Sequence, residues 1–119
     1  DLDIRIMALS DTIGIATPDS ILYLFKHLIP PYPDVEFGAH LHTHPHNWLP
    51  KIEAALAGGC RRFDSAMKGY GGCPMAKDEL TGNMATENLI QYFESNKTDT
   101  GINTAEFRKA MTMANKIFA

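Results

Sequence analysis

The sequence predicts an α/β fold made of three consecutive βα units followed by a C-terminal helix. Three apolar runs have the length and composition of buried strands, at residues 4–9, 35–42 and 61–66. A stretch of helical periodicity follows each run, directly in the first two cases and after a glycine-rich loop in the third. This alternation is typical of a parallel sheet whose strands are joined by right-handed helical crossovers.

The first helix has clear start and stop signals. Thr17 is a candidate N-cap, Pro18 suits the first helical position, and Pro30 with Pro31 would end the helix. Between them lies a broad apolar face that comprises Ile21, Leu22, Leu24, Phe25, Leu28 and Ile29.

The other three helices follow from similar signals. The second begins at Asn47 and ends at the pair Gly58 and Gly59, which favours a helix C-terminus. The third spans residues 86–95, with its apolar residues on one side. The last follows a capping-box-like pattern at residues 103–106 and continues to the C-terminus.

Three parallel strands are a poor domain by themselves, because parallel sheets are covered on both faces. A (β/α)₈ TIM barrel takes about 250 residues, so three βα units match the share of its last part. We therefore predict that residues 1–119 are the C-terminal part of a TIM-barrel domain, and that the N-terminal strands are absent from this chain. The sequence begins with Asp1 rather than Met, which agrees with this expectation. A doubly wound sheet is the competing architecture.

Composition excludes some classes of partner. The formal net charge of −3 and the absence of a basic stripe argue against nucleic acid. No apolar run approaches the roughly 18 residues that span a bilayer, so we expect no membrane insertion. The two cysteines, Cys60 and Cys73, are too few for a disulfide scaffold and favour a reducing compartment. We therefore expect a cytoplasmic protein.

The first candidate site is the histidine pair at the end of the second strand. His40 and His42 are two residues apart, so on a strand their imidazoles lie on the same face, as a metal site requires. A polar rim of hydrogen-bonded histidines is the alternative. Asn83 is a further candidate, because its amide oxygen could bind a hard cation, although Asn is also common in turns and caps.

The second candidate site is a glycine-rich loop after the third strand. Gly71 and Gly72 precede Cys73, and such a loop allows close backbone approach to a ligand and amides that point at an anion. A thiol there could act as an acid, a base or a nucleophile. The alternative is a small buried thiol that fills a gap, which is the better interpretation for Cys60.

Several polar residues near these motifs allow two interpretations. Asp11 and Thr12 end the first strand and face either the site or a turn. Glu87 either supports the site or supplies the negative charge that favours the first turn of a helix. His44 and His46 continue the histidine alternation into a loop, where they could hold a transition metal.

Taken together, these motifs resemble the hydroxymethylglutaryl-CoA lyases, and the similarity covers essentially the whole chain. The Gly-Gly-Cys-Pro loop is its most specific element, whereas the histidine pair and the Gly-Asn pair are shared with isopropylmalate and citramalate synthases. The segments that carry the resemblance are residues 10–14, 17–18, 38–42, 69–74 and 81–87.

The resemblance implies a metal-dependent cleavage of 3-hydroxy-3-methylglutaryl-CoA to acetyl-CoA and acetoacetate. It implies that Mg²⁺ or Mn²⁺ is bound by His40, His42 and Asn83. It also implies that Cys73 lies on a mobile loop and protonates the product carbanion, and that His40 is a proton acceptor as well as a ligand. The resemblance further implies a catalytic or supporting role for Glu87 and Asp11, and a substrate-binding role for Thr12, Gly71 and Gly72.

The sequence departs from this family in two places. The family continues its histidine pair with an Asp-Thr-Tyr-Gly-like stretch, whereas residues 43–47 here read THPHN. The family's first strand also supplies an arginine and an aspartate that have no counterpart in these residues. We therefore expect the isolated polypeptide to be inactive and to need the missing strands or another chain.

Two other functions compete with the lyase. One is an aldolase or Claisen-type acyl-CoA synthase of the same superfamily, and the other is a non-catalytic, histidine-rich metal-binding module. A homodimer is a further candidate assembly, although two copies would give only six strands.

Overall fold

The core of the structure is a small sheet whose three main strands are parallel and adjacent in chain order. The computed structural model describes residues 3–72 and 81–118. The parallel strands are β1 (Ile6–Asp11), β2 (Glu36–Thr43) and β3 (Arg62–Phe63). A short strand, β4 (Gly82–Asn83), pairs antiparallel with the end of β2.

In the described part of the chain, four α-helices connect or follow the strands, close to where the sequence predicts them. They are α1 (Pro18–Leu28), α2 (Trp48–Ala57), α3 (Thr86–Ser95) and α4 (Thr104–Ile117). The N-terminus of α1 carries a capping box, in which Thr17 Oγ1 accepts from the amide of Ser20 at 3.2 Å and Ser20 Oγ accepts from the amide of Thr17 at 3.0 Å. The Asn103 side chain caps α4 in the same place as predicted.

The third strand is shorter than the sequence predicts. Only Arg62 and Phe63 form regular pairs with β2, although the Asp64 amide still donates to Ala39 O at 2.9 Å. At Ala66 the chain pairs with Ala85 instead. Strand β3 therefore pairs with the middle of β2, at Gly38 and Ala39, and β4 pairs with its end, at His42 and Thr43.

Strand β4 has no counterpart in the sequence prediction, because two residues are too few for a recognisable alternation. Its first residue is a glycine for a steric reason: a Cβ on Gly82 would lie 2.6 Å from Gly69 O. A glycine here lets the backbone of residues 67–72 pass directly over β4.

One face of the sheet packs against helices and forms the main core. Phe37, Ala39 and Leu41 alternate along β2 and are buried against Phe25 of α1 and Ala55 of α2. A second cluster, formed by Ile52, Met84 and Leu89, joins α2 and α3 to the segment after β4.

The opposite face of β2 is polar. Glu36, Gly38, His40 and His42 alternate along it; Glu36 is exposed, His40 is half-buried, and Gly38 and His42 are buried. Gly38 leaves room for the Arg62 side chain, whose Cδ would lie 2.9 Å from an added Cβ. Helices α1 and α2 therefore cover one face of the sheet, and the histidines lie on the other.

Candidate metal centre and glycine loop

His40 lies beside a carboxylate that the sequence analysis did not single out. Its Nδ1 is 3.2 Å from Asp64 Oδ2, and both side chains are a little over one-third exposed. An ionised carboxylate accepts hydrogen bonds only, so this contact places the ring proton on Nδ1. The Nε2 lone pair of His40 is then available to a metal or a proton.

His42 is buried and held in the same way. Its Nδ1 donates to the backbone oxygen of Asp11, at 3.0 Å, across the gap between β1 and β2. A carbonyl cannot donate, so Nδ1 carries the proton and Nε2 keeps its lone pair. The ring centroids of His40 and His42 are 5.6 Å apart. Two neighbouring imidazoles are thus fixed in the tautomer that metal ligation through Nε2 requires.

Asn83 lies next to this pair through strand pairing. It is the residue opposite His42 in the β2–β4 ladder, and opposed residues have Cβ atoms about 4.5 to 5.5 Å apart on the same face. Its Nδ2 donates to Tyr70 O at 2.9 Å. This bond distinguishes the two ends of the amide and leaves Oδ1 as a free acceptor for a cation.

This donor set fits a divalent cation. Within residues 3–72 and 81–118, no three His, Cys, Asp or Glu side chains lie close enough to hold a metal by themselves, so the set depends on the Asn83 amide. Two imidazoles and one amide oxygen fill only part of a six-ligand shell. Nitrogen ligands favour Mn²⁺ over Mg²⁺, which prefers oxygen alone.

The glycine loop passes over β4 at close range. Gly71 O accepts from the Asn83 amide at 2.8 Å, and a Cβ on Gly71 would lie 2.9 Å from Asn83 Nδ2. A Cβ on Gly72 would lie 2.6 Å from Thr81 O. Both glycines are exposed. Cys73, the predicted proton donor, lies outside the described residues.

Glu87 supports the start of this loop. Its Oε2 accepts from the Lys68 amide at 2.9 Å. Lys68 has a φ of 59°, in the left-handed region that side chains rarely adopt. The carboxylate therefore stabilises a strained residue directly before the glycines.

Asp11 has a buried carboxylate that holds several elements together. Oδ1 accepts from the Ile15 amide, and Oδ2 accepts from the Ala16 amide and from Lys51 Nζ at 2.9 Å. These contacts indicate a positioning residue rather than a group that exchanges protons with a substrate. Thr12, which follows it, is exposed.

His44 and His46 lie in the loop between β2 and α2. Their rings stack with centroids 5.2 Å apart, and His44 Nε2 is 3.0 Å from Thr81 Oγ1. The His44 amide donates to Asn47 Oδ1. His44 is therefore engaged with the segment that leads into β4, and His46 stacks on it.

Sequence reasoning missed two polar residues of this site. Asp64 could have been found from strand alignment, because it follows β3 at the height where His40 lies on β2. Lys51 could have been found from helical spacing, because it precedes the buried Ala55 by four residues and shares its face. A lysine in that position contradicts the usual apolar pattern and calls for a buried partner.

The size of a cleft does not identify this site. Among the described residues, a largely apolar cleft of about 720 Å³ lies between α2, β3 and α3, and no histidine lines it. A smaller cleft of about 240 Å³ adjoins the candidate centre and includes Asn83, Glu87 and His44.

The described helices include none that is long and apolar enough to cross a membrane.

Sequence comparisons find lyases of acyl-CoA thioesters that are similar to this chain. The chain is 37% identical to (R)-citramalyl-CoA lyase of Chloroflexus aurantiacus, over 79% of this chain and 29% of that protein. It is 36% identical to the human cytoplasmic 3-hydroxy-3-methylglutaryl-CoA lyase, over 87% of this chain and 28% of that protein. The chain thus spans less than one-third of the length of these relatives.

Solved structures of HMG-CoA lyases have a fold similar to that of this chain. The HMG-CoA lyase of Bacillus subtilis matches with a TM-score of 0.84 and 28% identity, over 96% of this chain and 38% of that one. An HMG-CoA lyase of Acinetobacter baumannii in complex with coenzyme A and 3-methylmalate matches with a TM-score of 0.69 and 32% identity, over 81% of this chain and 31% of that one. The predicted α/β fold, part of a TIM barrel, is confirmed.

The family model described as HMGL-like matches residues 1–114. This match covers nearly all of the sequence, and it includes the histidine pair, the glycine loop and the Gly-Asn pair. The chain therefore belongs to the HMGL-like family of lyases.

Proposed function

We propose that this chain forms part of a metal-dependent carbon–carbon lyase that cleaves 3-hydroxy-3-methylglutaryl-CoA to acetyl-CoA and acetoacetate. The observation that carries the proposal is the paired hydrogen bonding of His40 and His42, whose Nδ1 atoms are both engaged and whose Nε2 atoms are both free to ligate. The names of the relatives, which are lyases of branched hydroxyacyl-CoA thioesters, support this substrate class.

His40, His42 and Asn83 would hold the cation, Mn²⁺ or Mg²⁺. When bound, such a cation acts as a Lewis acid toward substrate oxygens. The three residues come from β2 and from the strand paired with its end, so the sheet itself fixes their spacing. Asp64 and the Asp11 carbonyl orient the two rings.

His40 is the candidate proton acceptor for the substrate's C3 hydroxyl. Its ring is more than one-third exposed, whereas the ring of His42 is buried. An imidazole nitrogen cannot hold a cation and a proton together, so His40 performs one of these roles at a time. The Asp64 carboxylate keeps its hydrogen bond with Nδ1 of His40 during this transfer and so holds the orientation of the ring.

Cleavage of the bond between C2 and C3 leaves a carbanion at C2, which is the enolate of acetyl-CoA. We propose that the Cys73 thiol donates the proton that completes this product, as the Gly-Gly-Cys-Pro motif suggests. Gly71 and Gly72 would place loop amides near the substrate, and Thr12 would contact it from the end of β1. Glu87 would act by holding the loop through Lys68.

A complete site requires residues that this sequence does not carry. We propose that residues 1–119 act as the C-terminal part of a barrel, with preceding strands or another chain supplying an arginine and an acidic ligand. A homodimer is one arrangement to test. On this basis the polypeptide alone binds metal weakly and turns over no substrate. We also propose a cytoplasmic location, as the name of the human relative states for that protein.

A chimera tests the proposed reaction directly. Residues 6–118 replace the matching part of the Bacillus subtilis HMG-CoA lyase, to which they are structurally similar. With Mn²⁺, the chimera should release acetoacetate from 3-hydroxy-3-methylglutaryl-CoA. Replacement of Cys73→Ser should reduce turnover about 10²- to 10⁴-fold, the usual contribution of a positioned acid, without loss of metal binding. The variant Cys60→Ser is the matched control and should keep its activity.

Other outcomes would identify the competing functions. Cleavage of citramalyl-CoA alone would place the chain with the Chloroflexus relative, and consumption of acetyl-CoA with a keto acid would indicate a Claisen-type synthase. A folded chimera that binds Mn²⁺ but processes none of these thioesters would contradict the lyase proposal. Metal bound through His44 and His46, with no effect of Cys73→Ser, would indicate a non-catalytic metal module.

A further inference from the structure

We propose that Lys51 is a positioning residue that holds the metal ligand His42 in place. The proposal rests on the metal site described above. Lys51 lies in α2 and is 2% exposed, yet its ammonium makes three hydrogen bonds. They reach Asp11 Oδ2 at 2.9 Å, His42 O at 3.0 Å and Gly14 O at 3.1 Å.

These contacts form a closed ring around His42. The Lys51 ammonium binds the backbone oxygen of His42, while the His42 ring donates from Nδ1 to the backbone oxygen of Asp11. The Asp11 carboxylate completes the ring by accepting from Lys51. His42 is therefore held at its backbone and at its ring by two residues that are also bonded to each other.

The third bond of Lys51 extends this support to the turn after β1. Gly14 O accepts from Nζ, and a Cβ on Gly14 would lie 3.6 Å from His42 O and 2.7 Å from a methyl group of Thr81. The turn therefore packs directly on the end of β2. Three acceptors satisfy all three protons of the ammonium group.

A simple charge pair would not need this arrangement. Burial of a lysine is unfavourable, and Asp11 alone could balance the charge. The ammonium instead meets two backbone carbonyls, and one of them belongs to the candidate ligand. Because Lys51 is on α2, the position of this helix is coupled to the orientation of His42.

The test uses the purified chain with Lys51→Met, which keeps the length of the side chain but removes its donors. A second variant, Lys51→Met with Asp11→Asn, removes both buried charges. It leaves no unpaired carboxylate in the core, so it is measured as well in case the single variant does not fold. Lys109→Met is the matched control, because Lys109 is exposed and pairs with Glu106 on its own helix. Nitrogen NMR of histidine-labelled protein reports the His42 tautomer, and Mn²⁺ affinity is measured in parallel.

We expect the His42 ring of Lys51→Met to lose its single Nδ1–H tautomer, and Mn²⁺ affinity to fall about 10- to 100-fold, as for other residues that orient metal ligands. The double variant should regain thermal stability but neither the tautomer nor the affinity. An unchanged His42 signal in folded Lys51→Met, or its full recovery in the double variant, would overturn the proposal. A perturbed His42 signal when no form of the chain binds Mn²⁺ would support the positioning role while removing the proposed metal site.

Discussion

Oδ2 of Asp64 lies 3.2 Å from Nδ1 of His40, at the carboxyl ends of two neighbouring parallel strands. This contact is a carboxylate–histidine pair of the kind that fixes the tautomer and the ring orientation of a metal ligand. The second histidine of the site, His42, is held by the backbone carbonyl of Asp11 instead. The two histidines therefore differ in charge environment and in exposure, although both leave Nε2 free.

Removal of this carboxylate should weaken metal binding. We expect Asp64→Ala to lower Mn²⁺ affinity about 10- to 100-fold, because His40 loses the acceptor that orients its ring. Titration followed by the electron paramagnetic resonance signal of free Mn²⁺ measures this effect. Asp99→Ala is a suitable control, since that exposed carboxylate accepts a hydrogen bond from the nearby Gly101 amide. Equal affinities in the two variants would show that Asp64 has no part in the site.

Alanine substitutions at two glycines distinguish the effect of backbone strain from the effect of a new contact with Asn83. Gly71 and Gly101 have φ values of 87° and 68°, so alanine at either position costs about 1 to 2 kcal/mol in left-handed strain. Only at Gly71 would the new Cβ meet Asn83, at 2.9 Å from Nδ2, whereas nothing lies within 4 Å at Gly101. Both variants should lose similar stability in thermal unfolding. Mn²⁺ affinity should fall in Gly71→Ala alone, and an equal loss in Gly101→Ala would refute the role of Asn83.

The bond from Glu87 to the Lys68 amide should control local opening of the loop. Hydrogen bonds to charged groups contribute roughly 1.5 to 3 kcal/mol, and this one is partly buried, so the lower value is the relevant one. We expect Glu87→Ala to accelerate hydrogen exchange at the Lys68 amide about tenfold. Glu94→Ala, at an exposed position on the same helix, should leave that amide unchanged. Unchanged exchange in Glu87→Ala would contradict the support assigned to this carboxylate.

Cys60 should make stability depend on alkaline pH. Burial raises the pKa of its thiol above the usual value, with backbone hydrogen bonds acting in the opposite direction. Above about pH 8.5 the unfolded chain releases this proton while the folded chain retains it, so stability falls as the pH rises. Below that pH the contribution is constant. Denaturant unfolding from pH 7 to 10 should show a shallower decline in Cys60→Ala than in the wild type, and identical slopes would disprove this assignment.

Much of the fold could be predicted because its signals are local. Thr17 with Pro18, and Asn103 before α4, are end signals that depend on a few neighbouring residues, and the structure has helices at both. The alternation of β2 likewise predicted that His40 and His42 share a face. Strand β4 could not be predicted, because its two residues are ordered by β2 and by the glycine loop rather than by their own pattern.

The same distinction applies to the site. The histidines were evident from spacing, but Asp64 and Lys51 act through contacts 24 and 40 positions away in sequence, with His40 and Asp11 respectively. For Asp11, the family resemblance implies a catalytic or supporting role, and its position at a strand end left it facing either the site or a turn. The folded structure reveals its burial and its ion pair with Lys51, contacts that are typical of a positioning residue.

The central claim is that His40 and His42 bind the cation together, and electron spin-echo spectroscopy of Mn²⁺ with ¹⁵N-histidine-labelled chain tests it most directly. The spectra should show two directly coordinated imidazole nitrogens. Each of the variants His40→Ala and His42→Ala should remove one of them, whereas His44→Ala should remove none. Mn²⁺ without nitrogen coupling, or coupling that disappears only when His44 or His46 is replaced, would contradict the account.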